Sequence, residues 1–473
     1  MNLAVRPWIV AVILGLLALT PSMAQTGMNP EEVKEYEDFK AKAEKGDVGA
    51  QMKLGFLYAN GIGVTRDGSK SLMWYLRAAE QGNADAQNIV GVLYADGHHE
   101  APLDFQKAIL WWRKAAAQGH PWASYHLAQR FIKGEGVEKD DEQALLWYRK
   151  SAECGNLEAQ YYLARCYALG QGVAKDLSQA ASWYRKCAEQ GNTYGNYAET
   201  TRTTALYFLA RCYVDGEGVA KDPAQAVFWY RKAAERGDES SQYFLARCYV
   251  DGDGVAKDPV QAVFWYRKAA ERGHGTSQFF LALCYADGDG VAKDPVQAVF
   301  WYRSAAERGH ETAQYFLARC YADGDGVAKD PVQAVFWYRK AAEQGDADAQ
   351  HNLGVCYFKG EGVAKDFVQA VSWYRKAAEM GVAASQTSLG YCYANGLGVA
   401  KDEIEAYAYW NLAGITNELA RQFLAISEEK MSPDARLLGQ QRTKQLQKEI
   451  EGRLESLEDL RKATERESLR KGS

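Results

Sequence analysis

The sequence predicts an all-α fold: a solenoid of about ten helical hairpins, with a capping helix in front and a long charged helix behind. Three observations predict it. Tryptophan recurs at Trp111, Trp147, Trp183, Trp229, Trp265, Trp301, Trp337 and Trp373, every step being 36 residues except Trp183 to Trp229, which holds ten more. Glycines and a helix-starting aspartate, followed by proline in four units, punctuate the periods at fixed places. Between them, apolar residues fall at helical spacing. A period in this range means units that bury their apolar faces only against their neighbours.

At 473 residues the chain exceeds what one compact core organises. Its net charge of -5 argues against a nucleic-acid coat. Residues 1–24 read as a signal peptide: Arg6 supplies the positive region, Trp8 to Leu19 the apolar run, and Ser22-Met23-Ala24 the cleavage site. The run is too short to span a membrane, and no later segment is long enough. Gln25 rather than cysteine follows the cleavage site, which argues against a lipid anchor. The expected mature chain is exported, periplasmic or secreted, and has no transmembrane segment.

A capping helix is expected at 29–46, where Ala43 and Glu44 stand in register with Ala79 and Glu80. This makes it a lone second helix shielding the first hairpin. The repeat array follows at 47–415. In the unit from Ser241 to Ser277, Ser241, Leu245, Cys248 and Tyr249 share the inner face of the first helix, and Ala246 allows close approach. Asp251-Gly252-Asp253-Gly254 ends that helix, since glycine takes the positive φ of a C-terminal cap. Asp258 and Pro259 start the second helix, with Gln261 placed to complete a capping box. Ala262, Trp265, Tyr266, Ala269 and Ala270 form its inward face, and Gly273 ends it.

Three units depart from this pattern. The second carries Gly97-His98-His99-Glu100 in its loop, and the tenth has Tyr409 in the tryptophan slot and Trp410 in the tyrosine slot. The insertion at 193–204 is expected to project as a loop. Residues 416–473 form a C-terminal cap: a helix over Leu419–Ile426, then a charged helix from Pro433 towards Ser468 with Leu446, Ile450, Leu457 and Leu460 on one stripe.

Seven of the nine cysteines (Cys166, Cys212, Cys248, Cys284, Cys320, Cys356 and Cys392) share one repeat position. Equivalent helices lie roughly 8–10 Å apart, too far for a disulfide ladder, which favours free buried thiols. Cys154 and Cys187 stand outside the register and leave one pairing open.

The small-x-x-x-Leu-Ala/Gly-x-x-Tyr helix, the Gly-x-Gly-Val-x-x-Asp loop and the Ala-x-x-Trp-Tyr-Arg-Lys-Ala-Ala-Glu-x-Gly helix together resemble the Sel1-like repeat, a relative of the tetratricopeptide repeat. The resemblance covers over three quarters of the chain. It implies a right-handed superhelix whose first helices line a concave groove, and a protein–protein interaction scaffold of a bacterial envelope without catalytic residues.

No motif in the sequence argues for catalysis, a cofactor or a metal. The Asp-Gly-Asp-Gly loops lack the later glutamate a calcium loop requires. His98-His99-Glu100 lacks metal-ligand spacing, and His120, His274 and His310 follow helix-ending glycines, a position expected to face solvent. Some cysteine-rich Sel1-like proteins are linked to β-lactam hydrolysis, so a cell-wall or β-lactam hydrolase is the competing class. Ser427–Lys430 and Ser468–Lys471 match Ser-x-x-Lys, but neither has the companion motifs.

The candidate binding residues are Tyr161 and Arg165, Tyr207 and Arg211, Tyr243 and Arg247, and Tyr315 and Arg319, with Phe279 and Leu283 interrupting the series. On a helical wheel they fall opposite the inner face. Such a ladder suits an extended acidic peptide of a protein partner, or an acidic polysaccharide. In the alternative, tyrosine follows the repeat consensus and arginine pairs with the loop aspartates.

Overall fold

The computed structural model describes residues 30–191 and 196–471. The leader expected at 1–24 and the start of the insertion, 193–195, lie outside the described residues. Among the described residues every regular element is a helix. Helix α1 (Pro30–Glu44) precedes ten hairpins: α2 (Val48–Asn60) with α3 (Gly68–Glu80), α4 (Ala84–Asp96) with α5 (Phe105–Ala117), α6 (Pro121–Lys133) with α7 (Asp141–Glu153), α8 (Leu157–Leu169) with α9 (Leu177–Glu189), α10 (Asn196–Asp215) with α11 (Pro223–Glu235), α12 (Glu239–Asp251) with α13 (Pro259–Glu271), α14 (Gly275–Asp287) with α15 (Pro295–Glu307), α16 (Glu311–Asp323) with α17 (Pro331–Gln344), α18 (Ala347–Lys359) with α19 (Phe367–Glu379), and α20 (Ala383–Asn395) with α21 (Glu403–Ala413). Helices α22 (Glu418–Lys430) and α23 (Pro433–Lys471) follow. The chain divides into two compact units, Met1–Ser241 and Gln242–Ser473.

Local chemistry sets the helix ends. Asp258 and its equivalents in the other hairpins cap the second helices, each carboxylate accepting a backbone N–H from the first turn. First helices are capped by Asp47, Asn83, Asn156 and Asp346 in four hairpins. In three others the cap is a histidine: Nδ1 of His120, His274 and His310 accepts the N–H of Ala123, Ser277 and Ala313 at 3.2, 3.2 and 3.3 Å. These histidines are half-buried, not solvent-facing as expected, because the residue after the helix-ending glycine is also the N-cap of the next helix.

The core of most hairpins is one leucine of the first helix, the alanines, and the tyrosine of the Trp-Tyr pair, with Trp112 and Trp410 in the tyrosine's place in the second and tenth. Leu245, Leu281, Leu317 and Leu353 are fully buried, as are Tyr266, Tyr302 and Tyr338 with at most 4% exposure. Tryptophan is the outer member of the pair. Trp74, Trp183 and Trp229 are buried, but Trp265, Trp301, Trp337 and Trp373 are only half-buried, which corrects the inward placement of Trp265. A lysine three residues on covers the indole in several hairpins: Lys150 over Trp147 at 4.3 Å, Lys186 over Trp183 at 3.8 Å and Lys376 over Trp373 at 3.9 Å.

Three devices join one hairpin to the next. A buried first-helix glutamine donates its amide to an alanine carbonyl ending the preceding second helix, as in Gln278 to Ala270 (3.1 Å), Gln314 to Ala306 (3.1 Å) and Gln350 to Ala342 (3.2 Å). The second glycine of eight Gly-x-Gly loops lies against the preceding second helix or, for Gly63, against α1: at Gly290 (φ +71°) an added Cβ would stand 2.2 Å from the Pro259 carbonyl oxygen. Thirdly, an arginine of the second helix reaches a tyrosine of the following first helix, described below. Both of the first two devices hold α1 as well, since Gln51 donates to Ala43 (3.2 Å) and Gly63 lies against Glu32. Helix α1 therefore occupies the place of a second helix, as its register predicts.

The insertion departs from expectation. From Asn196 onward it is helical and lengthens the first helix to the 20 residues of α10, because no glycine or proline interrupts 196–215. Thr203 and Thr204 donate their hydroxyls to the Glu199 and Thr200 carbonyls, and Glu199 pairs with Arg236 at 2.7 Å.

At the other end, α23 packs on α21. Gly439 lies on the Tyr407 ring, Leu446 is buried, Arg442 meets Glu405 at 2.6 Å, and Arg453 pairs with Glu379. No helix among the described residues is long and apolar enough to cross a membrane.

Each described cysteine, Cys154 and Cys187 included, is a free thiol. Cys154 is exposed and Cys187 buried; burial pushes the Cys187 thiol up to about 12 and that of Cys166 up to about 11, which removes the reactive thiolate.

The first unit contains an acid-sensitive group. His126 stacks on Trp112 (4.9 Å between ring centres) among Trp122 and Tyr125, and burial, then Arg130 and His120, push its pKa down to about 3. In the unfolded chain it titrates near 6.5, so the unfolded state binds the extra proton first. Its contribution is complete above about pH 6.5 and falls as pH drops towards 3, by at most about 1.4 kcal/mol per pH unit. Thermal melts of His126→Phe from pH 7 to 4 are expected to decline less steeply than wild type; parallel curves would show that His126 does not carry this dependence.

Candidate interaction surface

The four tyrosine–arginine pairs occupy one position on α8, α10, α12 and α16, always on first helices. In the first unit, Tyr161 stands 6.1 Å from Tyr184 of its own hairpin and 6.2 Å from Phe208 of the next first helix. Tyr207 repeats the contact with Tyr230 at 6.1 Å. In the second unit Tyr243 lies 6.1 Å from Tyr266 and 5.9 Å from Phe280, and Tyr315 lies 6.1 Å from Tyr338.

The tyrosines are therefore half-buried, not directed clear of the core as the helical wheel suggests. The physical reason is Ala246 and its equivalents, which are fully buried. Their small side chains bring hairpins close enough for each tyrosine ring to lie on its neighbours. Burial accordingly pushes the Tyr161 and Tyr315 hydroxyls up from their ordinary pKa.

The arginines remain at the surface. Arg165 lies over Tyr161 and Arg319 over Tyr315, each 5.9 Å from the ring centre. Arg211 pairs with Asp215 at 3.5 Å, its side chain 36% exposed, and Arg247 pairs with Asp251 at 3.2 Å, 47% exposed. Hydrogen bonds to Tyr243 and then Asp251 hold Arg247 firmly charged. Arg211 and Arg247 thus pair with the aspartates that end their helices, while the guanidinium stays partly exposed beside a ring. Within the first unit the pairs stand on consecutive first helices. In the second they are separated by the hairpin carrying Phe279, which stacks on His310 at 5.0 Å.

A second arginine–tyrosine series was not anticipated. In six of the Trp-Tyr-Arg sequences the arginine donates from Nη2 to the hydroxyl of the tyrosine that closes the following first helix. The pairs are Arg149 with Tyr167 (2.5 Å), Arg185 with Tyr213, Arg267 with Tyr285 (2.8 Å), Arg303 with Tyr321 (2.7 Å), Arg339 with Tyr357 (2.7 Å) and Arg375 with Tyr393 (3.0 Å). Five of these pairs stand 18 residues apart, an offset that the sequence displays, and Arg185 and Tyr213, on either side of the insertion, stand 28 apart. This series fastens hairpins together, although Arg149, Arg185, Arg339 and Arg375 are themselves exposed.

Other candidates resolve into structural roles. His99 and Glu100 take positive φ, and His99 Nδ1 meets Ser71 Oγ at 3.0 Å while Glu100 bonds to Ser69, so this loop docks on α3 where other hairpins use glycine. Ser427 donates to the Met431 sulfur at 3.1 Å; the side chains of Ser468 and Lys471 lie outside the described residues. No group of three or more His, Cys, Asp or Glu among the described residues is placed to hold a metal. A cleft lined by Arg375, Glu379, Tyr393, Arg442, Glu449 and Arg453 lies under α23, and its arginines are engaged with Tyr393, Glu405, Glu449 and Glu379.

Comparison with known proteins agrees with this construction. The family model of the Sel1 repeat matches at residues 48–83, 84–120, 123–156, 157–192, 203–238, 239–274, 275–310, 312–346, 347–382 and 383–414. Residues 193–202 of the insertion fall between the fourth and fifth matches. The structure of a protective antigen from uropathogenic Escherichia coli, described as displaying an SLR fold, is 35% identical, covers 89% of this chain and 97% of its own, and aligns with a TM-score of 0.63. A Sel1 repeat protein from Oxalobacter formigenes is 32% identical over 67% of this chain and 89% of its own, with a TM-score of 0.53. A search of the curated proteins found no match. Ten matched repeats, each coinciding with a hairpin of the stack, show that the chain belongs to the Sel1 repeat family.

Proposed function

We propose that this protein is an exported, non-catalytic scaffold that holds an acidic, extended segment of a partner protein against its first-helix face. Sel1 repeat proteins generally mediate protein–protein interaction. The observation that carries the finer reading is the state of Arg247: charged, braced by Tyr243, half exposed, and paired only with a neighbour one turn away on its own helix. An exposed pair of this kind is worth little, on the order of 0.3–0.5 kcal/mol. A partner carboxylate can therefore displace Asp251 at small cost, meeting a guanidinium already held in place.

Export is supported by the leader pattern of Arg6, Trp8 to Leu19 and Ser22-Met23-Ala24. A relative that is a protective antigen is also consistent with a location outside the cytoplasm.

The test is the combined variant Arg165→Gln, Arg211→Gln, Arg247→Gln and Arg319→Gln, with a fluorescent poly-glutamate peptide as the probe. Wild type is expected to bind it with an affinity that falls as salt rises, and the variant to bind at least about tenfold more weakly with unchanged helicity and melting. Equal binding by the two proteins would refute the proposed face. An acidic polysaccharide that binds where the peptide does not would place glycan, not protein, on it.

A further inference from the structure

The second helices of hairpins six to nine carry an apolar row on their solvent side. Val260, Val296, Val332 and Val368 are 62–63% exposed, and Phe264, Phe300 and Phe336 are 45–54% exposed. Each phenylalanine stands edge-on to the half-buried tryptophan beside it, at 4.9–5.0 Å and 84–86°. All seven residues lie in the second unit, on α13, α15, α17 and α19. Trp301 and Trp337 pack against one core cluster, so these helices follow one another closely.

The phenylalanine position is apolar and exposed in other hairpins too, as Met73, Leu110, Leu146 and Phe228, but at the valine position hairpin packing does not demand an apolar residue. The position of Val260 is filled in hairpins one to five by Ser69, Gln106, Glu142, Ser178 and Ala224, with the same fold. The exposed side chains together present roughly 700 Å² of apolar surface, above the usual largest patch on a monomer and close to the ~800 Å² per partner of a standard interface.

We infer that this row is the contact surface for a second copy of the chain. Two features select that occupant. First, the charges flanking the row are of both signs: Lys257 and Asp258 stand just before α13 and Lys268 and Glu271 on it, repeated by Lys329 and Asp330 just before α17 and Lys340 and Glu343 on it. A surface without net sign does not select an anionic membrane or a nucleic acid, whereas it complements another surface of the same mixture. Second, an isologous contact uses one patch twice, and the patch supplies about the area that each half of such a dimer needs. The inference is independent of the first-helix face.

Sedimentation velocity across micromolar concentrations tests it. Wild type is expected to be a dimer, and the triple variant Phe264→Glu, Phe300→Glu, Phe336→Glu a monomer with the same circular dichroism and melting, its dissociation constant raised at least about a hundredfold. Should that variant misfold, Val260→Lys, Val296→Lys, Val332→Lys alters side chains that are still more exposed and is expected to give the same result. A monomeric wild type, or a folded variant as dimeric as wild type, would overturn the inference. So would a monomeric wild type that floats with phosphatidylglycerol vesicles and loses them in the variant, which would assign the row to a membrane surface.

Discussion

Tyr266→Ala is expected to destabilise the second unit by about 3–5 kcal/mol, whereas Trp265→Ala next to it costs less than about 2 kcal/mol. Tyr266 is 1% exposed and touches both Tyr243 of its own hairpin and Phe280 of the next, so truncation leaves a cavity shared by two hairpins. Trp265 is half-buried, and part of its face is already in water. The ranking is read from denaturant midpoints of the two variants, together with hydrogen exchange over α13 and α14, because stacked hairpins can open in segments. If Trp265→Ala proves the costlier substitution, the assignment of the tyrosine as the core residue is wrong.

The second large effect is expected at a glycine. In Gly290→Ala the new Cβ meets the Pro259 carbonyl at 2.2 Å and the residue must also hold φ near +71°. Backbone sterics alone cost about 1–2 kcal/mol for a residue in this region. The collision has to be relieved by separating two hairpins, which takes the expected total beyond about 3 kcal/mol. Gly309→Ala is the control: its φ is +90°, but nothing lies within 4 Å of an added Cβ, so it should show the backbone term by itself. Equal losses in the two variants would mean that the loop does not fasten neighbouring hairpins.

The hairpins were legible because spacing, caps and glycines point to the same elements. Asp258 caps α13, Gly252 takes positive φ, and Ala43 predicts the place of α1 correctly. What stayed hidden depends on where a neighbour sits. Trp265 and Tyr266 are adjacent in one consensus, about 100° apart on a helix, and only the position of the next hairpin decides which is enclosed. The same applies to Tyr243: a wheel places it opposite Leu245, yet the following first helix occupies that side. His274 gave no sign of its cap role because its partner, the Ser277 N–H, belongs to the backbone. The insertion misled because Tyr-Gly-Asn-Tyr reads as a turn, while everything from Asn196 onward is compatible with extending the helix.

The arginine-to-tyrosine fastening has a practical consequence. It normally joins residues 18 apart, yet Arg185 still reaches Tyr213 across 28. The junction after a second helix therefore tolerates added chain without loss of alignment between modules. It is a natural cassette site, at which a foreign epitope or a tether could be carried while the modules on either side keep their register.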